Sequence, residues 1–348
     1  MTVRFGFGLI TCQRYPGDAR TDTDLYAQAI DLAVEAEDLG FDSVWVSEHH
    51  FVDDAYLPSL LPLCAAIAAR TSRVQIGTAL LLAPLYEAIR LAEDAAVVDL
   101  ISGGRLILGL GLGWREEEFE VLGVPMDERA ARMEDTVTVL KQAWSGTPVT
   151  GGDTISYPGP YVTPSPHEPG GPPVWIGGIG PRAVMRAGRI ADGFMATSPS
   201  EQGFARRVSW VRDGLGLAGR DGAGFALSAH LPVYPREGDP DEAWEAVRPF
   251  AHYVSWKYDD MEDARARTGP APAPPPLDAE EEGRLRRRTL VGPPEVVAEG
   301  IGRLARVAEG ELHFIARLYW PGMPFERQRE AMRLFAEAIV PSVRASFA

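Results

Sequence analysis

Eight times along this chain a short apolar run gives way to a longer stretch whose apolar residues recur every three or four positions. Runs of that length read as strands, and the 3.6-residue period reads as helices. The strand-like runs are "VRFGFGLIT" (3–11), "DSVWVS" (42–47), "RVQIGTALLL" (73–82), "RLILGLGLG" (105–113), "PVWIGG" (173–178), "DGFMAT" (192–197), "GFALSAHLPVY" (224–234) and "ELHFIARLY" (311–319). They are apolar at odd and even positions alike, so both faces must be covered. The first helix is expected to be capped by Asp22 or Thr23, to carry Leu25, Ala29, Leu32, Ala36 and Leu39 on one face, and to stop at Gly40. After the fourth strand, Met133, Val137, Leu140 and Trp144 repeat the same pattern.

Eight strands, each followed by a helix, define a parallel (β/α)8 TIM barrel. Such a barrel takes about 250 residues, and 348 are present. The surplus sits in two irregular insertions. Residues 146–172, after strand four, are rich in Gly and Pro and suggest a small hairpin around "TISYPGPYV". Residues 259–290, after strand seven, are charged and proline-rich. An open doubly wound sheet with a smaller second domain is the rival architecture. Strand count without a composition break favours a single barrel domain over 1–348.

A formal net charge of −15 excludes nucleic acid or an anionic membrane as the main partner, since phosphate binding needs a basic surface. The run containing Arg284, Arg286, Arg287 and Arg288 reads as a solvated face. Cys12 and Cys64 are the only cysteines, which fits a reducing cytosol. No apolar run reaches the ~18 residues of a membrane span. The N-terminus reads as a first buried strand rather than a signal peptide. A cytoplasmic protein is expected.

Active sites of such barrels lie at the C-terminal ends of the strands. Strand two ends in Glu48-His49-His50, strand three in Thr78-Ala79-Leu80, strand four in Gly109, Gly111, Gly113 and Trp114, and strand five in Gly177, Gly178, Gly180 and Arg182. The "GGIGPRA" turn, running into a helix, is either a phosphate cradle of bare N–H groups or a tight connection. The alternating glycines of "GLGLGW" admit a flat ring, a second backbone or simply a narrowing barrel. Alternation of side chains along a strand sends His49 to one face with Trp45 and Ser47, and His50 to the other with Glu48. An adjacent histidine pair lacks the spacing of metal ligands, so no metal is expected. His49 is the expected acid–base residue, since imidazole ordinarily titrates near neutral pH. Trp45, Trp114 and Trp256 are candidates for a ring or substrate wall. Hydrolytic nucleophiles have no support in the motifs.

The segments "EAEDLGFDSVWVSEHHF", "GTALLLAPLYEAIRLAEDAAVVDLISGGRLILGLGLGWREEEFEVLGV", "RMEDTVTVLKQAW", "PVWIGG…RAVMRAGRIADGF", "LVGPPEVVAEGI" and "LFAEAIVPSVR" resemble the luciferase-like flavin-dependent monooxygenase family over nearly the whole chain. That resemblance implies an enzyme using reduced FMN and O2, through a flavin C4a-peroxide, to oxygenate a small organic substrate. It implies catalytic His49, supported by Glu48. It implies cofactor contacts at Thr78, Ala79, Leu80, Gly111, Gly113, Gly177, Gly178, Gly180 and Arg182, with a cis peptide at Ala79–Leu80. It also implies a mobile lid at 259–290, a separate flavin reductase as partner, and a homodimer. Luciferase members carry Cys-Arg where this chain has Gly111-Leu112, and Glu-Ser after strand five, so the phosphate contacts differ here. Members of the wider family use deazaflavin F420 for hydride transfer without O2, which is the alternative; Ser47-Glu48-His49-His50 leans toward FMN. A non-catalytic flavin-binding subunit is a further alternative.

Overall fold

The computed structural model describes residues 2–263 and 272–348. The strands are β1 (Arg4–Ile10), β2 (Ser43–Val46), β3 (Gln75–Thr78), β4 (Leu81–Leu82), β5 (Leu106–Gly111), β6 (Val174–Gly177), β7 (Gly193–Thr197), β8 (Ala226–Pro235), β9 (Leu290–Gly292) and β10 (Leu312–Arg317). Eight of them pair in parallel in the order β1-β2-β3-β5-β6-β7-β8-β10, and β10 pairs back onto β1, which closes the barrel. The two short strands β4 and β9 extend the walls beside β5 and β8.

The helices are α1 (Asp22–Asp38), α2 (Leu60–Arg70), α3 (Ala88–Ser102), α4 (Glu116–Val121), α5 (Arg129–Trp144), α6 (Pro181–Ile190), α7 (Glu201–Leu217), α8 (Pro240–Asp263), α9 (Ala279–Arg288), α10 (Pro294–Val307), α11 (Phe325–Leu334) and α12 (Val340–Ala345). Helix α1 begins one residue earlier than expected. Thr21 is its N-cap, exchanging bonds with Asp24 in a capping box, and Gly40 past its end has φ +81°.

Two differences from the sequence expectation have local causes. The single run 73–82 is divided into β3 and β4 by a cis peptide at Ala79–Leu80. The last helix is divided by a π-helical turn at Phe335–Ile339, ahead of Pro341 in α12. In 146–172 the hairpin is short, with one antiparallel bridge, Gly151 to Ser156, and bonds from the N–H groups of Val149, Gly152 and Tyr157 to the carbonyls of Pro160, Ile155 and Thr150. There the carboxylate of Asp135 gathers the N–H groups of Asp153, Thr154 and Ile155, so backbone donors go to a side chain instead of a partner strand.

Inside the barrel a small cluster of Leu9, Trp45, Ala79, Ile107, Trp175, Met195 and Ile315 is separate from the larger core between strands and helices. The indoles of Trp45 and Trp175 meet at 5.2 Å, with His313 edge-on to both. Gly77 exists for this packing, because a Cβ there would stand 2.2 Å from the Trp45 ring. The N-terminal floor is thus plugged by aromatic side chains. Function is left to the mouth.

Candidate active site

The second strand delivers the centre of the site. Trp45 lies in the barrel interior, and alternation carries Ser47 and His49 along the same face. His49 is 5% exposed. Its Nδ1 lies 3.0 Å from Oε1 of Glu118, which also accepts the His50 N–H at 2.9 Å. The rings of Tyr56, Trp114 and Tyr258 stand edge-on around the imidazole, with centroids at 4.9, 5.6 and 5.5 Å. The Tyr56 hydroxyl donates to Ser47 Oγ at 3.0 Å and lies 3.2 Å from the Tyr258 hydroxyl. The bond to Glu118 occupies Nδ1 and leaves Nε2, which has no hydrogen-bond partner among the described residues, to do chemistry. A histidine oriented on one nitrogen and open on the other is built to carry a proton.

His50 is a different residue altogether. Its Nε2 meets Glu48 Oε1 at 2.7 Å on the outer face of the strand. Glu48 also accepts from Leu82 N–H and from the Tyr86 hydroxyl. Burial pushes the Glu48 carboxyl up, against its bonds to His50 and Tyr86. Burial pulls His50 down, but the bond to Glu48 and the charges of Glu48 and Glu118 together outweigh it and leave His50 raised. The two groups together hold on to a proton. Glu48 thus lies with His50 on the face that alternation gave it, and the carboxylate on His49 is Glu118. Among the described residues no three His, Cys, Asp or Glu side chains gather as a metal site.

Helix α8 lies across the mouth and is fastened to the loop after β2. Asp54 accepts from Gln13 Nε2 at 2.7 Å, Tyr253 OH at 2.8 Å and Tyr56 N–H at 3.1 Å. Lys257 Nζ, fully buried, sits between Asp53 and Asp260. The guanidinium of Arg115 donates to the carbonyl oxygens of Met261 and His50. This helix holds the first residues of the expected lid, 259–290, and α9 holds its last part; positions 264–271 lie outside the described residues. Trp256 packs near Tyr253 at 6.0 Å, and Trp45 lines the floor. Of the three tryptophans singled out, Trp114 is the one against His49.

The glycine-rich strands have an occupant from this chain. Thr78 Oγ1 donates to the Gly109 carbonyl at 2.7 Å. A Cβ on Gly109 would sit 2.0 Å from the Thr78 carbonyl oxygen, one on Gly111 3.0 Å from Leu80 Cβ, and one on Gly177 2.1 Å from Leu80 Cδ1. The bare strip exists so that residues 78–80 can lie against β5 and β6. Gly113 faces Phe119 at φ +74°, and a Cβ on Gly178 would meet Ala183. Gly180 is the N-cap of α6, with no side-chain cap and open space around it, and Arg182 in its first turn is exposed. An uncapped helix N-terminus offers N–H groups to an anion. With the apolar wall of 78–80 beside it, this rim fits a flat cofactor bearing a phosphate.

Sequence reasoning missed Glu118, Tyr56, Tyr258, His230 and Arg317. Glu118 stands in a run of three glutamates with nothing to single it out. Arg317 did carry a signal, as a cation ending an apolar strand in register with His313 and Ile315.

With this geometry in hand, residues 4–308 match the model of the luciferase-like monooxygenase family, and the chain belongs to that family. It is similar to an F420-dependent glucose-6-phosphate dehydrogenase of Microbacterium testaceum, 29% identical over 340 residues that cover 92% of this chain and 94% of that protein. It is also similar to the oxygenase component of a flavin-dependent trigonelline monooxygenase of Acinetobacter baylyi, 30% identical over 51% of this chain and 50% of that protein. Among solved structures, monooxygenase RslO1 from Streptomyces bottropensis superposes with a TM-score of 0.82 at 26% identity, covering 97% of this chain and 99% of that one. No helix among the described residues is long and apolar enough to cross a membrane.

Proposed function

We propose that the chain is the oxygenase of a two-component monooxygenase, taking reduced FMN from a separate reductase and inserting one atom of O2 into a small organic substrate. The observation that carries this reading is the buried His49–Glu118 pair, ringed by Tyr56, Trp114 and Tyr258 in a mouth that α8 covers. Reduced flavin supplies two electrons to O2, and that chemistry needs water kept out and a proton placed. The α6 N-terminus with Gly178, Gly180 and Arg182 would hold the phosphate, and Thr78, Ala79 and Leu80, backed by Gly111 and Gly177, the ring, with Gly113 against Phe119 at its margin. His49 Nε2 gives and takes the proton. Glu118 fixes the imidazole and balances its charge. Glu48 keeps His50 and the following loop in place. The end of α8, where the expected cover begins, would help to keep water from the site. The likeness to RslO1 and to the Acinetobacter oxygenase component supports this reading.

The near full-length similarity to the Microbacterium dehydrogenase favours a second reading, F420-dependent oxidation of an alcohol, in which the same His49 would take the hydroxyl proton. Anaerobic titration with reduced FMN and with reduced F420, each followed by mixing with O2, separates the two. Tighter binding of FMN, and a transient absorbance that neither reduced nor oxidised FMN shows, is the expected result. Tight F420 binding with no oxygen uptake would replace the first reading with the second.

A further inference from the structure

Unpaired polar atoms cluster on one arc of the mouth. Arg317 is 6% exposed, yet its Nε and Nη2 have no partner. His230 Nδ1 and Thr11 Oγ1 are likewise buried and unpartnered. These residues come from β10, β8 and the end of β1, which are neighbours in the closed sheet. Along β10, His313 and Ile315 point into the barrel, and alternation sends Arg317 the same way, one layer nearer the mouth. On β8 the residue registered with Ile315 is His230. Arg317 acts electrostatically on both Tyr56 and His230, so it stands between the His49 enclosure and β8. Arg207, bonded to the Thr197 carbonyl at 3.0 Å, adds a second cation on that side.

A buried guanidinium without an anion is costly, and native proteins keep one only where a partner arrives. Nε and Nη2 form one edge of the guanidinium fork, the edge that matches the two oxygens of a carboxylate. We propose that Arg317 is a substrate-binding residue, and that the substrate carries a carboxylate held by Nε and Nη2, with His230 and Thr11 as flanking contacts. A cofactor phosphate is the other oxoanion to consider. Strand order speaks against it, because β6, which leads into the proposed phosphate cradle at α6, lies three places from β10 around the barrel. The inference rests on the mouth being the active site, but not on the choice between FMN and F420.

The test is binding to the full chain without flavin or O2, by calorimetry, using formate, benzoate and phenylacetate against formamide, benzamide and phenylacetamide. At least one carboxylate is expected to bind where its amide does not. Arg317→Met should lower that affinity about tenfold or more, while the melting temperature of the ligand-free protein stays the same or rises. Failure of all three carboxylates to bind wild type, amide binding equal to carboxylate binding, or a lower melting temperature in the variant would each overturn the proposal. A loss of FMN affinity in Arg317→Met with riboflavin affinity intact would give Arg317 to the cofactor phosphate and overturn it too. Failure of the oxygenase reading would instead show only in the cofactor titrations.

Discussion

Two histidines stand on adjacent strands inside the same barrel, two register positions apart, and their surroundings differ completely. His313, at the floor, shares a 2.6 Å bond with Ser43 Oγ and packs edge-on against Trp45 and Trp175. His230, nearer the mouth, leaves Nδ1 unpaired beside an unpaired Arg317. Burial pulls both imidazoles down to about 3, with Arg4 adding to the effect on one, and Arg317 and Arg207 on the other. Equal burial with unequal pairing divides the barrel into an end that is finished and an end that waits for a ligand. The floor is packed shut, and the mouth is where the proposed function lies.

The largest effect is expected at His49, the proton carrier proposed for the mouth. His49→Ala should lower product formation by about 10²–10⁴-fold, with flavin affinity changed little; product yield equal to wild type would remove His49 from the chemistry. Next in size is the floor. Trp45→Ala empties a fully buried indole site and should cost about 3–5 kcal/mol in urea unfolding. Glu118→Gln weakens a charged bond to His49 and should lower turnover by about tenfold to a hundredfold, leaving the secondary structure unchanged.

The smallest effect sharpens the comparison through pH. Both histidines are depressed from 6.5 to about 3. Below 6.5 the unfolded chain takes a proton that the folded chain refuses, so stability falls with pH until about 3. Replacing either histidine with Asn should flatten that loss by up to about 2 kcal/mol near pH 5. At neutral pH only His313→Asn should destabilise, by about 1 kcal/mol for the lost Ser43 bond. Equal neutral-pH costs at the two positions would erase the distinction between floor and mouth.

Much of this was written locally. The barrel followed from apolar runs, because covered strands must be apolar on both faces, and the inequality of His49 and His50 followed from strand alternation alone. What escaped was set by distance along the chain. Glu118 reaches His49 across 69 residues, and Tyr258 arrives from a helix whose placement over the mouth depends on Lys257, Asp53 and Arg115. The glycines of β5 were legible as a close approach, but not as an approach by Leu80, since only the fold brings that side chain over them. Alternation placed Glu48 with His50, as the structure has it, but it could not show that the carboxylate reaching His49 is Glu118.

We have proposed that oxygen chemistry takes place at His49 on reduced FMN. Stopped-flow mixing of O2 with wild type and His49→Ala, each first loaded anaerobically with reduced FMN, tests it most directly. Wild type should show a transient absorbance that decays with product formation, and His49→Ala rapid oxidation without product. Identical traces and equal product yield in the two proteins would contradict it, as would a wild type that binds reduced F420 tightly and ignores O2.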